Sequence, residues 1–212
     1  LSLHDALPIY YSEDGFLSGE MSAYEVAAIE EKGVGVVMKH FALNDSEQDR
    51  IGLGVWVNEQ AAREIYLKAF QAPVEKGNAN GVMIAYTRWG CIWSGGSKPL
   101  VTGILREEWG CDGLIITDNV LTTYVNGVDG VLAGVSTFDA MLPYVTKQLP
   151  DYKNDAVIVN AMREACHRNL YAIANSSGMN GIGKDTEIKD TGLLVVDVVR
   201  TLLIVLDRKS VV

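Results

Sequence analysis

Cys111–Asn119 reads CDGLIITDN, and the fold turns on how that stretch is read. Gly113 opens a short apolar run, Leu114–Ile116, which ends abruptly in Thr117, Asp118 and Asn119. A run this short, bounded by turn residues, reads as a buried strand. An Asp at its end can be a helix cap or a turn former. It can also be a carboxylate delivered by a parallel strand to the face where α/β barrels place their chemistry.

Working outward, two more runs share this pattern. Val34–Met38 is rich in β-branched residues and leads into Lys39 and His40; Val82–Ala85 leads into Tyr86, Thr87 and Arg88. Val135–Phe138, followed by Asp139, is a candidate last strand. Between them lie helical patterns. Glu20–Lys32 stops at Gly33. Asn58 is a good N-cap for a helix to about Glu75, with Pro73 tightening its last turn and Gly77 after it. Pro99 opens a helix to Trp109, with Leu100, Ile104 and Leu105 on one side. Strands and helices alternate, and the strands are too apolar to have a wet face. That predicts a parallel sheet covered by helices, an α/β fold.

The chain has 212 residues, 48% of them hydrophobic, which suffices for one domain with a real core or for a piece of a larger one. Its net charge of −9 argues against nucleic acid as a partner. Cys91, Cys111 and Cys166 have neither metal spacing nor a disulfide framework and read most simply as buried small hydrophobes. Beyond Pro150 the character changes. Asp155–Asn175 has the apolar spacing of a long amphipathic helix, and Asn175–Thr191 is a Gly-, Ser- and Asn-rich linker. Leu193–Leu206 is almost wholly apolar but short, and Asp197 and Arg200 interrupt it. A core or interface helix is the favoured reading there, with membrane association the alternative.

Both ends look foreign. Leu1–Ile9 (LSLHDALPI) and Asp207–Val212 (DRKSVV) resemble translated sequencing-adapter DNA. The expectation is therefore a natural chain visible from Tyr10 to Leu206 and cut at both ends, with the compartment, cytoplasmic or secreted, left open. The expected organisation is artefact at 1–9, a partial barrel over 10–150, a helix and linker toward a missing second domain over 151–206, and artefact at 207–212.

Each polar strand end has an ordinary explanation: a hydrogen-bonded structural His, or a Lys reaching to water. Convergence of several such ends on one face is instead the mark of a barrel active site. Together, KHFALNDSEQDR (Lys39–Arg50), AYTRWG (Ala85–Gly90) and LVTGILREEWGCDGLIITDN (Leu100–Asn119) resemble the catalytic barrel of glycoside hydrolase family 3. The similarity is to the β-glucosidase and β-xylosidase branch and runs from about Val34 to Met141. The β-N-acetylhexosaminidase branch typically has a Gly- and His-rich loop where this chain has FALND.

The resemblance implies the C-terminal part of a truncated (β/α)8 TIM-type barrel, followed by the long helix and linker. It implies a carbohydrate substrate and a retaining β-glycoside hydrolase releasing glucose or a similar sugar from non-reducing ends, with no cofactor and no metal. Asp118 matches the nucleophile, Lys39, His40 and Arg50 match residues that hold the sugar, and Tyr86 matches the tyrosine beside the nucleophile. Lys39 and Arg50 would favour the charged form of Asp118; Tyr86 would aim its carboxylate, and Glu47 would orient Arg50. Three departures stand out. Asn119 replaces the usual Trp after the nucleophile, leaving Trp89 or Trp93 as a substitute platform unless they pack in the core. The earlier barrel strands are missing. So is the second, α/β-sandwich domain that supplies the general acid/base in this family, which implies that the chain alone is inactive. The rival class is a non-catalytic carbohydrate-binding barrel. A flavin- or phosphate-binding barrel would want a Gly-rich phosphate loop, and Gly127, Gly130 and Gly134 lack its spacing.

Overall fold

The computed structural model describes residues 11–120, 122–140, 144–183 and 185–187. The expectations for both chain ends and for Leu193–Leu206 lie outside those residues. The chain divides into two units, Leu1–Asn180 and Gly181–Val212. In the second, a turn closes where Gly183 N donates to Thr186 Oγ1 at 2.7 Å.

The first unit is built on a three-stranded parallel sheet. β1 (Val37–Phe41) and β6 (Leu114–Thr117) flank β3 (Gly81–Ile84). The register runs Val37↔Gly81 and Met38↔Val82 on one side and Gly81↔Leu114 to Ile84↔Thr117 on the other. β1 begins three residues later than the sequence reading placed it, because Val34 is exposed and pairing begins only at Val37. Lys39 and His40 therefore lie within the strand, not after it. The register slips between Met38 and Phe41, and the Lys39–His40 and Phe41–Ala42 peptides are cis. A smaller sheet of β2 (Gly54–Val55), β4 (Arg88–Trp89) and β5 (Ile92–Trp93) follows the ends of the main strands.

Val135–Phe138 forms no regular strand. It makes one isolated parallel bridge, Ile116↔Thr137, and side-chain hydroxyls complete the pairing. Ser136 Oγ takes the Ile115 N–H at 2.8 Å, and Thr117 Oγ1 takes that of Asp139 at 2.9 Å. Hydroxyls standing in for main-chain partners break the ladder while keeping the direction parallel.

Helices cover the sheet. Asp14 caps α1 (Gly15–Glu30) by accepting the Phe16 and Leu17 N–H groups. Asn58 caps a helical run of α2 (Glu59–Ala61), a π-type turn (Ala62–Tyr66) and α3 (Lys68–Glu75), with Pro73 inside its last segment. α1 lies close on this run because its buried face is Ser18, Gly19, Ser22, Ala23 and Val26. A Cβ on Gly15 would sit 2.4 Å from Ile65 O. The Pro99–Glu108 helix is wound with π-type hydrogen bonds and buries Leu100, Val101, Ile104 and Leu105. After α4 (Gly127–Ala133) and α5 (Tyr144–Lys147) comes α6 (Ala156–Ala174), capped by Asp155. Polar side chains tie α6 to the sheet region: Asn169 bonds both Ser136 O and Thr137 Oγ1, and Arg168 pairs with Asp112.

The core is one cluster in which Phe41, Val82, Ile84, Leu100, Leu105 and Ile115 are almost fully enclosed. Phe41 meets Phe70 and Trp109 edge-on, with ring centroids 5.3 and 6.0 Å away. Among the described residues no helix is long and apolar enough to cross a membrane.

The tightest point is the entry to β6, where a Cβ on Gly113 would lie 1.7 Å from Asn80 O. Gly113→Ala must push β6 away from β3. It should destabilise the chain by about 3 kcal/mol, the upper end for overpacking. A urea midpoint that does not move would show that the β3–β6 pairing is looser than this.

Candidate active site

Because β1, β3 and β6 run parallel, their C-terminal ends open on one edge of the sheet. Main-chain bonds extend the pairing past the strands: Ala85 N donates to Phe41 O at 2.7 Å and Asp118 N to Ile84 O at 3.1 Å. This delivers His40, Tyr86 and Asp118 side by side.

The centre is the Asp118 carboxylate, whose side chain is 15% exposed. Its Oδ2 lies 3.2 Å from Nε2 of His40, itself 10% exposed. Its Oδ1 accepts the Asn119 N–H at 2.7 Å. Burial lowers the His40 pKa most; the Asp118 charge works against this, and Lys39 and Arg50 reinforce it. His40 is therefore neutral near pH 7, and its contact with a carboxylate oxygen puts the proton on Nε2 as donor.

The Tyr86 hydroxyl donates to the Asn119 main-chain carbonyl at 2.8 Å. It steadies the loop that carries Asp118, and it also lies within hydrogen-bonding reach of the Asp118 carboxylate that the sequence reading expected it to aim. Burial raises its pKa first and the nearby Asp118 charge second, while Arg50 opposes both. The Arg50 guanidinium sits over the Tyr86 ring, 4.7 Å from its centroid. Glu47 Oε2 holds Arg50 Nη1 at 2.6 Å, so Glu47 does orient Arg50. Glu47 is held in turn by Asn44 Nδ2, 3.0 Å from its Oε1. Lys39 is exposed and has no hydrogen bond or ion pair with a described residue, although its charge is felt at His40.

Thus the structure gathers His40, Tyr86, Arg50 and Asp118, and leaves Lys39 at the exposed margin. Of the tryptophans, Trp93 is a core residue, 5% exposed, with its indole N–H donating to Ala85 O at 3.0 Å. Trp89 is half-buried and donates to Val57 O. Sequence reasoning missed Tyr124, whose hydroxyl donates to the Asp118 main-chain carbonyl at 3.4 Å and whose ring stands edge-on to Tyr86 at 5.0 Å. It lies in a stretch with no periodicity, so nothing local marks it. Asn44 was missed as well. Its three-residue spacing to Glu47 was the available signal.

The sequence profile of the Glycosyl hydrolase family 3 N terminal domain matches residues 10–140. This chain belongs to that family. It is 34% identical over 183 residues to a probable beta-glucosidase I from Emericella nidulans, covering 84% of this chain and 21% of that protein. It is 43% identical over 109 residues to a beta-glucosidase from Ruminococcus albus, covering 51% and 12% respectively. Among solved structures, beta-glucosidase 3B from Thermotoga neapolitana in complex with glucose superposes with a TM-score of 0.74. The two are 29% identical, and the match covers 81% of this chain and 25% of that one. The chain thus spans a quarter or less of each of these proteins.

A histidine whose pKa is depressed on folding makes the fold sensitive to acid. The stability it protects is present above the ordinary value of 6.5 and is lost as pH falls from there through the folded-state pKa. His40→Gln removes this component. The stability gap between the unaltered chain and the variant should therefore shift in the variant's favour between about pH 7.5 and about pH 5. Denaturation curves at both pH values check this; a constant gap would show that His40 titrates in the folded chain as it does unfolded.

Proposed function

We propose that this chain supplies the nucleophile and much of the sugar-holding surface of a retaining β-glycoside hydrolase. The enzyme would release glucose or a similar sugar from the non-reducing ends of β-glucosides and oligosaccharides. In this reading the three-stranded sheet is an arc of a (β/α)8 barrel wall, and the edge carrying Asp118 is its catalytic face. The observation that carries the proposal is the Asp118 carboxylate at the end of a parallel strand, held by His40 and the Asn119 N–H, with Tyr86 and Arg50 beside it. Membership of the family and similarity to beta-glucosidases support it.

Retaining hydrolysis proceeds in two displacements. Asp118 attacks the anomeric carbon and forms a glycosyl ester while the leaving oxygen takes a proton from a general acid. Water, deprotonated by the same group, then releases the sugar. The hydrogen bonds from the Asn119 N–H and from His40 fix the orientation of Asp118 and still leave lone pairs on its oxygens for attack. Neutral His40 donates to the carboxylate without adding positive charge beside a transition state that is itself cationic. Arg50 and Lys39 offer donors to sugar hydroxyls, which position the ring.

Asp118→Asn keeps the size of the side chain and removes the nucleophile. In the complete enzyme it should lower turnover of an aryl β-glucoside by orders of magnitude and abolish the covalent intermediate, while glucose still binds. Intact-mass analysis during turnover and steady-state kinetics check both points. Near-normal turnover would remove Asp118 from this role.

The same reading divides the site between two domains. Two carboxyl groups about 5–5.5 Å apart are needed, and the family resemblance puts the acid/base in a second domain. These 212 residues alone should show no steady turnover of aryl β-glucosides or β-xylosides. At most they should show slow glycosylation of Asp118 by a substrate whose leaving group barely needs protonation. Turnover comparable to that of a version extended through the second domain would place the acid/base within this chain.

A further inference from the structure

Two tyrosine hydroxyls hold consecutive carbonyls just past the end of β6. Tyr86 Oη donates to Asn119 O at 2.8 Å, and Tyr124 Oη donates to Asp118 O at 3.4 Å. Tyr124 is 9% exposed and belongs to the core cluster, where a Phe would fill the same space. A buried tyrosine hydroxyl needs a partner, and here the partner is the main chain of the candidate nucleophile. The ring has a second part to play. It stands edge-on to Tyr86, with centroids 5.0 Å apart and planes at 72°, and edge-on to Trp93, 5.9 Å away at 83°. Trp93 is a fixed wall, enclosed and tied by its indole N–H to Ala85 O. Tyr86 carries the Arg50 guanidinium over its face, so a pull on Arg50 is felt by the ring.

The geometry points to Tyr124 as a positioning residue, whose hydroxyl fixes the main chain of Asp118 and whose ring braces Tyr86 against movement of Arg50. This rests on the hydrolase reading above. Tyr86 by itself links two tasks. Its hydroxyl steadies the nucleophile loop and reaches the Asp118 carboxylate, while its ring supports a cation offered to the sugar. When sugar hydroxyls engage Arg50, a shift of the guanidinium would pass through that ring to the nucleophile. Tyr124 meets both ends of this path, the Asp118 carbonyl directly and the Tyr86 ring edge-on, with Trp93 as backing. Attack on the anomeric carbon tolerates little misalignment, since an error of about 1 Å can cost about 100-fold in rate. In this role Tyr124 meets neither the sugar nor the reacting atoms; it acts only through Asp118 and Tyr86.

The test uses the complete enzyme, an aryl β-glucoside as substrate and glucose as competing inhibitor. A deoxyfluoro aryl β-glucoside, which traps the glycosyl ester, counts the working sites, so that kcat is expressed per site. Tyr124→Phe keeps the ring and removes the hydroxyl. Its kcat per site should fall about 2–5-fold, the lower range for one hydrogen bond because this one is long. Inhibition by glucose should stay within about 2-fold, since the ring still braces Tyr86 and Arg50. Tyr124→Leu removes the ring contacts as well; kcat per site should fall about 10–100-fold and glucose should inhibit more weakly. A role confined to core packing gives a different result: fewer working sites and a lower melting temperature, with the Phe variant at the unaltered rate per site. That result overturns the inference and leaves the hydrolase reading intact. A Phe variant that loses glucose inhibition in step with kcat also overturns it, by making Tyr124 a substrate contact. A glycosyl ester trapped on a residue other than Asp118 in the unaltered enzyme would overturn the reading of the site itself, and this inference with it.

Discussion

The whole site depends on β3 being paired in parallel on both of its edges. Only Gly81–Ile84 form this strand, yet it sets where both neighbours end. Its last carbonyl, on Ile84, receives the Asp118 N–H, and the next N–H, on Ala85, reaches back to Phe41 O. β1 and β6 are two strand spacings apart, about 9.6 Å, and never touch as strands. His40 and Asp118 nevertheless meet at 3.2 Å because their side chains lean toward each other over the end of β3. Slipping either pairing by one residue would turn one of the two to the opposite face. The close approach at Gly81, where a Cβ would sit 2.8 Å from Leu114 O, and the closer one at Gly113 lock the β3–β6 register.

Much of this was legible in the sequence, and the reasons are local. Ile115 and Val82 lie in runs that a strand buried on both faces would carry, so the parallel sheet could be read from them. β1, with Val37 and Lys39 exposed, has an open face that the sequence reading did not expect. Asn58, Asp155 and Pro99 are strong helix-start signals, and each stands where a helix begins. The start of α1 was read five residues late because its contact face is made of small residues, which hide apolar periodicity. Meanwhile Phe16, Met21 and Tyr24 point outward and mislead it. The Val135–Phe138 segment looked like a strand from its β-branched residues, but Ser136 and Thr117 divert its hydrogen bonds through hydroxyls. At the site, His40, Tyr86 and Asp118 were read at the ends of expected strands and Arg50 from the family resemblance of its loop, and the structure brings the four together. Tyr124 came from a turn with no motif, and the bond from the Tyr86 hydroxyl to the Asn119 carbonyl could not be read from spacing at all.

The charges are arranged in a definite order around the carboxylate. Arg50 is paired with Glu47, which Asn44 steadies, and its guanidinium rests on the Tyr86 ring. A cation over an aromatic face retains donors for other partners while its position is fixed. Lys39 stays at the exposed margin. Their combined effect on His40 is to oppose its protonation, in the same direction as its burial. The histidine thus stays neutral because of its burial, with the cations helping and despite the adjacent carboxylate.

That order bears on how Asp118 could act. A carboxylate gripped directly by a guanidinium or an ammonium forms a strong charge-assisted pair, and its electrons are less available for attack. Here the Asp118 oxygens are met by a main-chain N–H and a neutral imidazole, with the Tyr86 hydroxyl also in reach. All three orient the carboxylate, and none carries a net charge. The cations stand one step back, on Tyr86 and at the margin, where sugar hydroxyls rather than the nucleophile would meet them. For the proposed displacement this separates two demands that a single Lys or Arg on Asp118 would confuse. In that proposal, neutral donors would hold the nucleophile still and charged ones would hold the substrate.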